Sequence, residues 1–292
     1  VAAAKKQKIG VIGLGNMGGG IARNLAKKGF QTFVWDVSEE ARKRFAKIGT
    51  VTEPSDMAAI CQVVIFAVPG SPEIAALLKG RNGMLAKARR GLVLCDFTTS
   101  DPVETKKLAR KAKTKGVAYL DAGMSGGAQH ADNGTLTLMM GGDAKAAKKI
   151  KPVLDAIAAS TFFLGPSGAG HSMKLIFNMV VHTNFLVACE AGHLAKKAGI
   201  PLEDMVDVFN AGNARSFISE RRFPDHILSE TWDGRSRVYN LHKDVGMAVS
   251  YADKVGLPAN LGKDTYKYLQ KAMKAGMADD DFTLIFRDFL KI

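Results

Sequence analysis

Gly13, Gly15 and Gly18 stand in G-x-G-x-x-G spacing between an apolar run, Ile9 to Ile12, and a helical pattern through Ile21, Leu25 and Ala26. Residues of these types in this order can hold a pyrophosphate. Gly13 makes the tight turn, Gly15 lets the backbone approach a ligand, and Gly18 allows close packing of helix on strand. Leu14, Asn16 and Met17 complete the loop, and the helix N-terminus presents N–H groups that the helix itself does not use. A second run, Thr32 to Trp35, closes at Asp36, whose carboxylate can accept hydrogen bonds from both ribose hydroxyls of an adenosine. A glycine-rich turn alone would be a weak signal; strand, glycines, helix, strand and acid together predict a dinucleotide site. Asp36 would repel a 2′-phosphate, which favours NAD, with NADP as the alternative that Arg42, Lys43 and Arg44 further on could partly restore. Asp36 could instead cap the next helix, but Ser38 suits that position better.

A second group lies at Lys174 and Asn178, four residues apart and therefore on one helical face. A lysine at the mouth of a cleft can exchange a proton with a substrate hydroxyl while an asparagine holds the oxygen. Lys243, in Asn240-Leu241-His242-Lys243-Asp244, is a candidate second cation or carboxylate grip. On spacing alone, an ordinary helix lysine is the commoner reading of Lys174.

The elements that must position these groups alternate. After Asp36 come a helix from Ser38 to Ile48, helical residues around Met57 to Ile60, and an apolar strand, Val63 to Val68. A helix from Pro72 to Leu78, a strand from Leu92 to Cys95, a basic helix from Pro102 and a strand from Val117 to Leu120 follow. Leu136 to Met140 and Thr161 to Leu164 read as further strands around a helix from Ala144 to Ala158. The alternation predicts an α/β Rossmann-type, doubly wound parallel sheet, with ligands beyond the carboxyl ends of its strands. Those ends carry Val68-Pro69-Gly70, Asp96-Phe97-Thr98-Thr99 and Asp121-Ala122-Gly123-Met124-Ser125-Gly126-Gly127. From His171 onward only helical patterns appear, at His171 to Lys197, Leu202 to Asn210, Asn240 to Val255 and Asn260 to Ala275. The expected division is a dinucleotide-binding domain, 1–167, and an all-helical substrate and oligomerisation domain, 168–292, joined by a long helix.

The 292 residues, 47% apolar and 24% charged, suit a globular protein with a sizeable core. No apolar run reads as long enough to span a bilayer, and the N-terminal Val-Ala-Ala-Ala-Lys-Lys lacks a secretory signal's apolar segment. Cys61, Cys95 and Cys189 suggest neither a disulfide framework nor a C-x-x-C site, so a cytoplasmic, reducing compartment without a structural metal is expected. The net charge of +13 raises nucleic acid or membrane as partners, but it equally steers an anionic cofactor and substrate. The densest basic stretch, Lys106 to Lys115, has no interleaved aromatics and reads as a solvated helix face.

The chain resembles the β-hydroxyacid dehydrogenase family, the group of 3-hydroxyisobutyrate dehydrogenase and tartronate semialdehyde reductase, related to 6-phosphogluconate dehydrogenase. The likeness runs from Ile9-Gly10-Val11-Ile12-Gly13-Leu14-Gly15-Asn16-Met17-Gly18 to Lys243-Asp244. The family motif D-A-P-V-S-G-G followed by G-T-L matches Asp121, Ala122, Ser125, Gly126, Gly127, Gly134, Thr135 and Leu136. The motif G-x-G-x-x-x-K-x-x-N-N matches Gly168, Gly170, Lys174 and Asn178. The resemblance implies that Lys174 is the acid/base and Asn178 orients the substrate. By the same resemblance Ser125, Gly126 and Gly127 bind its carboxylate, Thr99, Val68 and Pro69 approach the nicotinamide, and Lys243 lines the site beside cofactor and substrate. It further implies NAD(P) as cofactor, a small carboxylate-bearing substrate, and a homodimer or homotetramer, with neither membrane nor nucleic acid as partner.

Two positions depart from the motifs. Gly123 replaces the motif proline, and Phe177 stands where a polar residue is usual, leaving an apolar ring beside the substrate or a ring turned into the core. Three other readings compete. Tyr239 and Lys243 have the Y-x-x-x-K spacing of short-chain dehydrogenases, but in those enzymes the pair works with a different glycine pattern and lies within the sheet domain, which rejects the reading. An imine reductase on the same architecture lacks a need for Lys174, and a non-catalytic NAD- or nucleic-acid-binding relative needs neither Lys174 nor Asn178.

Overall fold

The computed structural model describes residues 7–292, so the expectation about the first residues, 1–6, lies outside the described part. The chain divides into two compact units, 1–174 and 175–292, and the division falls within a helix.

The first unit is a sheet with helices on both faces. Its strands are β1 (Lys8–Ile12), β2 (Gln31–Trp35), β3 (Thr50–Val51), β4 (Val63–Phe66), β5 (Val93–Asp96), β6 (Ala118–Ser125), β7 (Leu136–Gly142) and β8 (Ala158–Phe163). They are ordered β3-β2-β1-β4-β5-β6-β7-β8. β1 to β6 run parallel, and β7 turns back antiparallel to β6 with β8 parallel beside it. The order reverses between β1 and β4, the place where a doubly wound sheet opens a ligand crevice. The helices are α1 (Asn16–Lys27), α2 (Glu39–Phe45), α3 (Pro54–Ile60), α4 (Ser71–Leu78), α5 (Met84–Lys87), α6 (Pro102–Lys113), α7 (Gly127–Asn133), α8 (Ala144–Lys149) and α9 (Lys151–Leu154). The central strands are buried on both faces, between one core that includes Val11, Ile65 and Leu138 and another that includes Ile12, Phe66 and Leu94. That two-sided burial is why these strands read as continuous apolar runs without alternation.

Several expectations need correction. The helix expected from Ala144 to Ala158 is two short helices, because Pro152 near the start of α9 has no N–H to continue α8. Its last residue already belongs to β8. β6 does not end at Asp121 but continues to Ser125, and α7 follows at once.

A helix of 29 residues, α10 (Ala169–Lys197), leads into the second unit. There follow α11 (Leu202–Ala211), a π-helical segment (Ile218–Leu228), α12 (Val238–Lys254), α13 (Asn260–Lys274) and α14 (Leu284–Asp288). Their core gathers Phe185, Cys189, Phe223, Leu241, Leu269 and Phe286. By length and composition α10 could cross a membrane, with a mean hydropathy of 1.3 over its most apolar window, so the expectation of no such run is corrected. Polar residues at His171, Lys174, Asn178 and His182 break the run into short pieces when the sequence is scanned. A helix at the core of a globular unit meets the same criterion, and Phe185, Leu186 and Cys189 of α10 lie in that core.

Candidate active site

The glycine loop leaves β1 for α1 at the reversal of strand order. Gly13 has φ +91°, a turn that a side chain would strain. A methyl group built on Gly18 would lie 1.8 Å from the Gly13 carbonyl oxygen, so only glycine fits there, whereas one on Gly15 would meet nothing within 4 Å. The helix start is closed tightly onto the strand while the face at Gly15 stays open. Asp36 caps the arrangement: one carboxylate oxygen accepts the Leu14 N–H at 2.7 Å and the other the Ser38 N–H at 2.8 Å. Ser38 in turn caps α2 by accepting from the Ala41 N–H. Each Asp36 oxygen keeps a lone pair for a further donor. Arg42 donates to the carbonyls of Asp36 and Val37, and Val37 is 82% exposed.

Gly20, beyond the spaced glycines, does work the spacing did not announce. A methyl on Gly20 would lie 2.6 Å from the Ala131 carbonyl carbon, and the buried Asn24 amide donates to the carbonyls of Ala131 and Asp132. α7 therefore lies directly on α1, and the loop that opens α7 is fixed to the helix behind the glycine loop.

That loop is Ser125-Gly126-Gly127. Gly126 (φ +115°) and Gly127 (φ +66°) are both left-handed, which turns the chain sharply off β6. His130 sits over Gly126, and its Nδ1 lies 3.0 Å from the Thr135 hydroxyl. Sequence reading missed His130, although Gly134-Thr135-Leu136 had pointed to the segment it holds.

Lys174, half-buried, is brought to the same strand. A methyl built on Gly123 would lie 2.5 Å from Lys174 Cβ, so the lysine stem rests on β6 just ahead of Ser125. The departure from proline at 123 thus has a geometric consequence. Gly123→Ala would force strand and helix apart, at a cost of about 1–3 kcal/mol. We expect its denaturation midpoint to fall accordingly, and an unchanged midpoint would show that the contact yields freely.

Beneath the lysine lies a buried polar cluster. Asp96 and Asp121 are register partners on β5 and β6, and both are fully buried. Asp121 accepts the N–H groups of Gly168 at 2.8 Å and His171 at 3.0 Å, which fixes where α10 begins. Asp96 accepts from the Thr98 N–H and hydroxyl and from the Tyr119 hydroxyl. Burial, with Asp96 beside it, pushes the Tyr119 phenol well above its ordinary range, so it remains a donor. Thr98 and the next residue, Thr99, are thereby held at the end of β5.

In the second unit the buried Asn178 amide donates to Asp244 at 2.7 Å, and Lys243 Nζ lies 3.4 Å from the other Asp244 oxygen. Asp244 is thus the residue that orients Asn178; the long separation in sequence gave no sign of it. Phe177 is partly buried on α10. A cavity of about 600 Å³ in this unit, lined by His193, Lys196, Trp232 and Phe286 among others, contains none of these residues.

The arrangement offers an open, glycine-lined loop under an acid, and a lysine packed next to a second glycine turn. The match to known proteins is of the same kind. Residues 8–165 match the NAD binding domain of 6-phosphogluconate dehydrogenase, and residues 168–288 match the NAD-binding domain of NADP-dependent 3-hydroxyisobutyrate dehydrogenase. An L-threonate dehydrogenase from Cupriavidus necator is 32% identical, over 97% of this chain and 96% of its own. A probable mitochondrial 3-hydroxyisobutyrate dehydrogenase of Dictyostelium discoideum is 31% identical, over 98% and 92%. Among solved structures, Mycobacterium tuberculosis 3-hydroxyisobutyrate dehydrogenase with L-serine aligns at a TM-score of 0.89 and 26% identity, over 97% and 99% of the two chains.

Proposed function

The chain belongs to the NAD-binding β-hydroxyacid dehydrogenase family, related to 3-hydroxyisobutyrate and 6-phosphogluconate dehydrogenases, and we propose that it reversibly oxidises a short β-hydroxy acid to its semialdehyde or ketone. As a member it is an NAD(P)-dependent oxidoreductase acting on a short hydroxy acid or a related compound.

One observation carries the finer reading. Lys174 rests on Gly123, a short step along β6 from the turn at Ser125, Gly126 and Gly127. A proton-exchanging group and a turn suited to a carboxylate therefore stand near one strand end, an arrangement suited to a short acid with a β-hydroxyl. In this reading Lys174 takes the hydroxyl proton during oxidation and returns it during reduction. Asn178, oriented by Asp244, holds the reacting oxygen, and Lys243 adds positive charge for an anionic substrate. Phe177 lends apolar surface, which favours a 3-hydroxyisobutyrate-like acid over a polyhydroxylated one such as glycerate.

The residues from Gly13 to Gly18 with Asp36 suit the dinucleotide, and Val68, Pro69 and Thr99 line the nicotinamide side. When bound, the nicotinamide supplies the hydride acceptor. Asp36 makes NAD the preferred cofactor, because its carboxylate would meet the 2′-phosphate of NADP. Replacing Asp36 with serine and Val37 with arginine should move kcat/KM toward NADP, since the exposed position 37 lies beside Arg42. An unmodified enzyme already favouring NADP would overturn the role given to Asp36.

The chain assembles with copies of itself in this reading. Val180, Val187 and Leu194 recur at heptad spacing along α10 and are 50%, 56% and 70% exposed, an apolar stripe that a second copy would cover. Light scattering should give a multiple of the 31.3 kDa chain mass, and a monomer would refute it.

A further inference from the structure

His171 is fully buried, belongs to the first turn of α10, and has no chemical role in the reading above. Its ring joins two other elements. Nε2 lies 3.2 Å from the Asp96 carbonyl oxygen, and Nδ1 lies 2.7 Å from the Thr105 hydroxyl on α6. A carbonyl can only accept, so Nε2 carries a hydrogen and donates it. In the neutral ring Nδ1 is an acceptor for the single Thr105 hydroxyl hydrogen, for which the Asp101 carbonyl oxygen at 3.1 Å competes with Nδ1 at the shorter 2.7 Å. The backbone N–H of His171 is held by Asp121. One residue therefore ties α10 to the end of β5, to the middle of β6 and to the helix that follows β5.

What lies on either side gives this tie its meaning. Asp96, whose carbonyl takes the ring N–H, uses its carboxylate to fix Thr98, and Thr98 shares a hydrogen bond with Ser100. The segment from Thr98 to Ser100 contains Thr99, read above as facing the nicotinamide. On the other side, Lys174 follows His171 by nearly one helical turn. The whole cluster of Asp96, Thr98, Ser100, Thr105, Asp121 and His171 is buried, and every polar side chain in it has a partner. A satisfied buried network of this kind holds one arrangement in place of several near-equivalent ones.

We propose that His171 is a positioning residue that sets the distance between the nicotinamide-side segment, Thr98 to Ser100, and the proton-exchanging Lys174. The proposal rests on the assignment of Lys174 and Thr99 made above. Hydride and proton must leave neighbouring atoms of one substrate, so both receiving groups must be in register with it. Helix α10 alone cannot secure that, because nothing in its own hydrogen bonding refers to β5. The imidazole supplies the reference. A displacement of the order of 1 Å between reacting groups costs roughly 10²-fold in rate.

The test begins without cofactor. In His171→Leu, which keeps the bulk but loses both ring hydrogen bonds, backbone amide exchange should quicken in the peptides covering 96–101 as well as 168–174. Faster exchange in 168–174 alone would overturn the proposal, since the residue would then serve only its own helix. With substrate and NAD, kcat should fall roughly 10²-fold with the KM for NAD nearly unchanged. The deuterium isotope effect from substrate labelled at the carbinol carbon should rise as hydride transfer becomes limiting. His171→Gln, whose amide can still donate toward the Asp96 carbonyl, should recover most of the rate. Should His171→Leu not fold, Thr105→Val removes only the hydroxyl that orients the ring, and the same two exchange signatures apply. Lys174→Ala is run in parallel: full activity there defeats the lysine assignment, whereas an inactive Lys174→Ala beside a wild-type-like His171→Leu defeats the present proposal alone.

Discussion

Lys174→Ala lowers kcat by roughly 10² or more, the usual contribution of a general acid/base, while the cofactor still binds. The two halves of this expectation come from different parts of the first unit. In the proposed reading cofactor affinity resides in the glycine loop and Asp36, which is tied to the Leu14 and Ser38 N–H groups. The same reading gives proton exchange to the lysine head. Alanine is a fair probe because it retains the Cβ that rests on Gly123, so the crossing of α10 on β6 is kept. Isothermal titration with NAD and steady-state kinetics on the same preparation separate the two effects. Wild-type turnover in the variant would remove Lys174 from the reaction.

Replacing the substrate carboxylate with an amide lowers kcat/KM at least about 10-fold, since hydrogen bonds to a charged group contribute about 1.5–3 kcal/mol. In the proposed reading the turn at Ser125, Gly126 and Gly127 offers a hydroxyl and backbone N–H groups as donors toward an anion, and an amide NH₂ facing them is a donor too. The loss comes from the missing charge and from the mismatch. Equal kcat/KM for acid and amide would refute the carboxylate site. A clear preference for glycerate over 3-hydroxyisobutyrate would leave that site standing and refute only the role of Phe177. That second contrast should be graded, because one methyl or hydroxyl in an apolar pocket changes specificity by about 1–3 kcal/mol.

Much of this was legible in the residues because local rules govern it. Glycine spacing, an acid at a strand end and apolar runs buried on both faces are short-range signals, and the first unit is built from them. The failures lie where long-range packing decided. Gly123 and the pair at Gly126 and Gly127 read as turn residues, so β6 was ended early. Pairing with β7 carries the strand on to Ser125. β3 is only Thr50–Val51, exposed and too short to show a period. The π-helical segment from Ile218 to Leu228 contains Pro224 and three charged residues in its first half, a pattern that resembles a loop. In the site, Lys174 was visible through its motif, but its partners were not. Asp244 beside Asn178 and His171 beside Asp96 are contacts across long stretches of chain, and no spacing encodes them.

The overhang of β6 has a consequence for how such an enzyme can change over generations. The register with β5 stops at Asp96 and Asp121, so Ala122 to Ser125 extend beyond the parallel sheet with β7 as their only strand neighbour. In the proposed reading the cofactor loop leaves the parallel part of the sheet, whereas the turn for the acid ends the part formed by β6, β7 and β8. Along this extension exposure rises from the buried Ala122 and Gly123 to the exposed Gly126 and Gly127, so substitutions near the turn disturb the core less than those nearer the sheet. In this reading a lineage can vary the acid it takes through the exposed end of the turn at smaller risk to nucleotide binding.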